Sequence, residues 1–99
     1  MFDLTALREA VERVHASVPA TPQYAWPRLA ERLGCEVWVK HENHAPTGAF
    51  KVRGGLIYVQ WLLAQKPQVR GLVTATRGNH GQSMALAARS AGLPIIIVV

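Results

Sequence analysis

Apolar residues recur three and four apart at Leu4, Leu7, Val11, Val14 and Val18, a spacing that predicts an amphipathic helix. Asp3 or Thr5 can cap it, and Pro19 and Pro22 end it. From Pro19 to Pro27 the prolines predict an extended linker. Arg28–Leu33 reads as a short helical turn stopped by Gly34. Glu36 to Glu42 then alternates apolar with polar, the pattern of a strand, and Asn43–Gly48 is rich in turn residues. A second long helix is expected from Lys51 to Gln65, with Leu56, Val59, Leu62 and Leu63 on one side and Lys66-Pro67 closing it. Gly71–Thr76 reads as a β-branched strand, Arg77–Gly81 as a tight turn, and Gln82–Ala91 as an alanine-rich helix. Gly92 stands where a left-handed residue can stop that helix.

The last five residues, Ile95–Val99, are apolar throughout, as in parallel strands buried on both faces. Strand, helix, strand, helix, strand is the order of an α/β fold, here a three-layer αβα arrangement around a mostly parallel sheet. A buried strand with nothing after it to cover it suggests that residues 1–99 are the N-terminal part of a larger domain. By itself such a chain is expected to fold poorly, or only as an oligomer or within a complementing assembly, because an uncovered apolar strand edge favours association.

Composition narrows the classes. The chain is 49% hydrophobic and 17% charged, an ordinary globular balance. No apolar run approaches the length that spans a bilayer, and no basic-then-apolar leader opens the chain. A single cysteine, Cys35, cannot form an internal disulfide and fits a reducing cytoplasm. The net charge of +5 is carried by basic residues scattered along the chain rather than clustered, which argues against nucleic acid as a partner. His41 and His44 are three apart, but a strand would turn His41 and Glu42 to opposite faces, so no metal site is expected. Trp26, Trp38 and Trp61 read as packing residues, and His15 as a solvated one.

Two constellations carry chemistry. Pro46-Thr47-Gly48-Ala49-Phe50-Lys51-Val52-Arg53-Gly54-Gly55 places a lysine at a helix start, after a glycine turn and an aromatic residue. The helix N-terminus and Arg53 both contribute positive potential there, which favours the neutral, nucleophilic amine that reacts with aldehydes. Thr74-Ala75-Thr76-Arg77-Gly78-Asn79-His80-Gly81-Gln82 lies where a strand end turns into a helix, the edge at which α/β sheets gather ligands. Its hydroxyl, amide and backbone N–H groups suit a small anion such as a carboxylate. It matches neither the three-glycine dinucleotide pattern nor a Walker loop.

Together, Glu42, the Thr47–Gly54 run and the Gly78–Gln82 turn resemble the fold type II pyridoxal-phosphate (PLP) enzymes of the threonine/serine dehydratase type. The likeness runs from Thr21-Pro22 to the last strand. It implies that Lys51 is the catalytic lysine that attaches the cofactor, that Phe50, Lys51 and Asn79 bind PLP, with Asn79 on the 3-hydroxyl, and that Thr76, Arg77, Gly78, Asn79 and His80 hold the substrate carboxylate. Two departures stand out: Ala49 replaces the usual serine before Phe-Lys, and Arg77 replaces the serine that serves racemases as the second acid/base. An arginine is a poor proton acceptor, so racemisation by two bases is disfavoured. His80 matches the dehydratases, where cysteine synthases carry threonine.

The resemblance thus implies a lyase that takes threonine, serine or a related hydroxy amino acid to a 2-oxo acid and ammonia, acting as a cytoplasmic homo-oligomer. The family's glycine-rich phosphate loop and its partner for the pyridine nitrogen do not occur in these 99 residues. The alternatives are a truncated, non-catalytic product, or another type II activity such as serine racemase or cysteine synthase.

Overall fold

A computed structural model describes residues 3–99. Helix α1 (Leu4–His15) opens on Asp3, whose carboxylate accepts from the Ala6 N–H at 2.8 Å. Strand β1 (Gln23–Ala25), helix α2 (Pro27–Leu33), strand β2 (Trp38–Lys40) and a single 3-10 turn (Glu42–His44) follow. Helix α3 (Lys51–Gln65), strand β3 (Leu72–Ala75), helix α4 (Asn79–Ser90) and strand β4 (Ile95–Val98) complete the described chain.

The α/β class and the second half match the sequence reading closely: α3 has the expected bounds, and Gly92 adopts φ +67° as expected. The first half differs. The proline segment is not a plain linker, because Gln23–Ala25 forms a strand antiparallel to β2, with Tyr24 opposite Val39. Pro22 and Pro27 flank this strand rather than interrupt it, so no ladder hydrogen bond is lost. The strand expected over 36–42 shortens to 38–40, and β2 belongs to this small antiparallel pair, not to the parallel sheet. The parallel sheet consists of β3 and β4, in register from Leu72 opposite Ile95 to Ala75 opposite Val98.

Helix α4 begins at Asn79, three residues before the expected start. Gly81 is therefore helical and buried, and its lack of a side chain serves a close approach instead of a turn. A Cβ there would stand 2.8 Å from Thr76 Cγ2 and 3.3 Å from Ile97 Cγ2, so only glycine lets the first turn of α4 settle against the strand ends.

The core lies between α3, α4 and the end of α1. Val14, Val18, Val52, Leu56, Val59, Met84 and Ala87 are buried together, with Leu72 and Ile95 packed against them. Helices α3 and α4 cross closely at Gly55, where a Cβ would come within 2.3 Å of Ser83 Oγ. One face of the parallel sheet meets this core. The other is open: Val73, Ile96 and Val98 are exposed, so β4 is covered on one face only, against the expectation of two. The three tryptophans, expected to pack, are also exposed among the described residues. Trp38 belongs to the small antiparallel ladder and Trp26 follows it; that ladder buries nothing of its own, and Trp61 lines an open hollow between α3 and α1.

Candidate active site

The segment that leads to Lys51 is held by charge. Glu42 accepts two hydrogen bonds from Arg53, Nε at 2.8 Å and Nη2 at 3.1 Å, and a third from the Thr21 hydroxyl. Arg53 Nη2 also donates to the Pro19 carbonyl, and Lys40 Nζ donates to the Thr21 carbonyl at 3.0 Å. The Arg53 fork, then the Thr21 hydroxyl, hold the Glu42 carboxyl down from 4.5 to about 2 against the opposing effect of burial, with the charge of Lys40 in support. Glu42 and Arg53 thereby close the ends of the intervening turn-rich loop, which passes through Gly48 at φ +67° and delivers Lys51 as the first residue of α3. The sequence reading that counted Arg53 as positive potential on Lys51 is corrected here, because its guanidinium is matched by Glu42.

Lys51 opens into a cleft of about 650 Å³, lined also by Phe50, Tyr58, Thr74, His80, Ser83 and Met84. That volume falls within the range of roughly 300–1,000 Å³ usual for small-molecule sites. Of the three lysines only Lys51 lines it. The two ion pairs of the described residues, Arg13–Glu9 and Arg53–Glu42, leave Lys51 out. His80 lies across the cleft, its Nε2 3.2 Å from the Thr74 hydroxyl. A primary amine with no acidic partner, facing a polar edge in a cleft of this size, has the chemistry that an aldehyde cofactor requires.

The remaining nominated residues divide. Thr76, Arg77 and Gly78 line a second hollow of about 530 Å³ with Gly81, Gln82 and Ile97, on the other side of the β3–α4 turn. The Gly78 N–H donates to the Thr76 hydroxyl at 3.2 Å, which shapes that turn. Asn79 lines neither hollow and opens α4 between them. Lys51, Phe50 and His80 thus share one cleft, while Thr76, Arg77 and Gly78 do not face it. Sequence reasoning placed Thr74 in the ligand-binding constellation without a role of its own, and missed Tyr58 and Ser83 as cleft residues. The Gly54-Gly55 pair inside a helical pattern was the available sign that something approaches α3 closely.

The family model of pyridoxal-phosphate dependent enzymes matches residues 15–99. The chain is 33% identical over 96 residues to a biosynthetic L-threonine dehydratase of Haemophilus influenzae, across 97% of this chain and 18% of that protein. It is 36% identical over 99 residues to an L-threonine ammonia-lyase of Thermotoga maritima, across 100% of this chain and 24% of that one. The crystal structure of a pyridoxal 5'-phosphate-dependent aspartate racemase superposes with a TM-score of 0.86 at 32% identity, covering 95% of this chain and 30% of that one. The chain belongs to the pyridoxal-phosphate dependent enzyme family, and its fold is that of the type II enzymes. It spans a third or less of the length of each of these relatives.

Proposed function

We propose that this chain is the lysine-bearing N-terminal part of a PLP-dependent ammonia-lyase domain that converts a hydroxy amino acid, threonine or serine, to a 2-oxo acid and ammonia. The observation that carries the reading is the Lys51 amine, without an acidic partner, in one cleft with His80 of the Gly78-Asn79-His80-Gly81 turn. When bound, PLP supplies an aldehyde for covalent attachment and a ring that stores the electrons released at the substrate Cα.

The chain's own residues then have definite tasks. Lys51 Nζ would attach the cofactor and, as a free amine, would take the proton from the substrate Cα as general base. Phe50 would border the cofactor, and Asn79, at the first position of α4, would hydrogen-bond its 3-hydroxyl. Thr76, Arg77, Gly78, Asn79 and His80 orient the substrate carboxylate through N–H, hydroxyl and imidazole donors at the helix start. Thr76, Arg77 and Gly78 border the second hollow, so a carboxylate bound by all five residues would sit at the β3–α4 turn, between the two hollows. A homo-oligomer and a cytoplasmic setting belong to the same reading. The open apolar face of the parallel sheet supports assembly with further structure, and the lone Cys35 suits a reducing compartment.

Reduction of the PLP-loaded protein with borohydride, followed by peptide mapping, tests the assignment. The pyridoxyl group is expected on Lys51, and Lys51→Ala should lose the visible cofactor band and the lyase activity together. A pyridoxyl group on Lys40 or Lys66 would refute it. The similarity to an aspartate racemase favours a second reading, α-inversion. Arg77 speaks against it, since a guanidinium does not accept a proton at ordinary pH. Oxo-acid formation should therefore far outrun L-to-D conversion, and fast inversion by the wild type would reverse that order.

A further inference from the structure

Ser83 is one of two buried polar side chains among the described residues, 1% exposed in the second turn of α4. A serine inside a helix ordinarily bonds back to the carbonyl four residues earlier on its own helix. This one does not. Its hydroxyl crosses to α3 and donates to the Lys51 carbonyl at 2.6 Å, 32 residues away in the chain. Alanines surround Ser83 in α4, at 85, 87 and 88, so the helix does not need a hydroxyl for propensity or for packing volume. Gly55 makes the bond possible, because any side chain there would occupy the space of Ser83 Oγ. Two residues are thus matched across the helix pair to place one donor on the backbone of one lysine.

We propose that Ser83 is a positioning residue for Lys51: by holding the Lys51 carbonyl, it fixes the distance between the lysine and the first turn of α4, which carries Asn79 and His80. The inference rests on Lys51 as the cofactor lysine. Arg53 and Glu42 set the loop that arrives at Lys51, and Ser83 sets where the lysine stands relative to the opposite wall of the cleft. The bond is made to the backbone of Lys51 rather than to its amine, so its loss would shift the amine without removing it. Angular errors of this kind act on reaction rate more than on substrate affinity.

The test uses the full-length gene product loaded with PLP, as Ser83→Ala, as Ser83→Cys, which is slightly larger and donates only weakly, and as Gly55→Ala, which crowds Ser83 from the other side. Each is read by the thermal midpoint, the pH midpoint of the visible cofactor band, the yield of borohydride-trapped pyridoxyl-Lys51, and kcat against KM. Both Ser83 variants should shift the pH midpoint of the band and lower trapping and kcat about three- to tenfold, the effect of one neutral hydrogen bond, with KM little changed. Gly55→Ala should give the same spectral shift, with a lower thermal midpoint than Ser83→Ala, because its Cβ also stands 3.1 Å from the Ser83 carbonyl oxygen. A wild-type band, pH midpoint and kcat in both Ser83 variants, whatever their thermal midpoints, would overturn the role of Ser83 alone. Pyridoxyl label that persists in Lys51→Ala would instead overturn the assignment of Lys51, and this proposal with it.

Discussion

Two regions of this molecule are held together by different physics. Between Lys51 and Ser90, α3 and α4 bury Val52, Leu56, Val59, Met84, Ala87 and Ala88 against one another. Between Gln23 and His44, across β1, α2, β2 and the 3-10 turn, no residue is buried. That second region is strapped to the first by Arg53 on Glu42, and it is tied to the preceding segment by Thr21 on Glu42 and Lys40 on the Thr21 carbonyl. The apolar region gives stability that scales with area removed from water, while the strapped region depends on a few charge-assisted bonds. Lys51 stands at the junction, its helix rooted in the apolar pair and its approach loop tied by the charged strap. Lys51 is thus fixed from behind by packing and from in front by electrostatics.

The largest separation between the regions is expected from truncating one leucine in each. Leu56 is 5% exposed within the α3–α4 core, whereas Leu33 at the end of α2 is 63% exposed. Leu56→Ala should cost about 2–5 kcal/mol, from lost transfer energy and the cavity left behind. Leu33→Ala should stay within about 0.5 kcal/mol. Urea unfolding of the two variants checks the pair. Comparable losses would show that the α2 region is packed against something that supports it as the core supports Leu56.

A medium effect is expected from the strap, and it carries a pH signature. The Glu42 carboxyl titrates at about 2 when folded against 4.5 ordinarily, so between those values the unfolded chain binds the additional proton. Stability from this group is therefore complete above about pH 4.5 and is lost as the pH falls toward 2. Both side chains of the pair are about one-fifth exposed, which limits its worth. Glu42→Gln should lower stability by about 1–3 kcal/mol at pH 7, with the difference from wild type narrowing as the pH falls through that window. Leu56→Ala should show no such narrowing. A pH-independent gap for Glu42→Gln would mean that the carboxylate charge is not what holds the loop.

How much could be read from the sequence follows the same division. The bounds of α3 were legible because Leu56, Val59 and Leu63 repeat at helical spacing, a local signal. The start of α4 was not, because Gly78 and Gly81 look alike in sequence, and only the approach of Thr76 and Ile97 makes the second of them helical. Strand β1 was hidden between Pro22 and Pro27, since its partner β2 lies more than ten residues away and the pairing is not a local property. At the site, Lys51 and the Asn79-His80 turn were legible as motifs. Which side of the turn Thr76 and Arg77 face was not, because that depends on how α4 meets the sheet. Ser83 was invisible for the same reason: nothing in an alanine-rich helix reveals that its hydroxyl is aimed at another helix.

The smallest expected effect sharpens the comparison within the strapped region itself. Thr21, just ahead of that region and bonded into it, and Trp26 within it each donate one side-chain hydrogen bond. The Thr21 hydroxyl donates to the Glu42 carboxylate from a residue 7% exposed. Trp26 Nε1–H donates to His41 Nε2 at 3.3 Å from a residue 43% exposed, with the two rings 5.8 Å apart. Removing the first leaves a carboxylate oxygen short of a donor in a partly dry site, whereas removing the second lets water take over the imidazole nitrogen. Thr21→Val should therefore cost about 1–2 kcal/mol and Trp26→Phe less than about 0.5 kcal/mol. The Thr21 effect should shrink when Glu42 is already glutamine, because the two groups share one bond, and the Trp26 effect should not. A double-mutant cycle at pH 7 measures both couplings. If Trp26→Phe proves as costly as Thr21→Val, exposure is not what ranks these bonds, and the aromatic cluster of Tyr24, Trp26 and His41 supports β1 and β2 as firmly as the charge does.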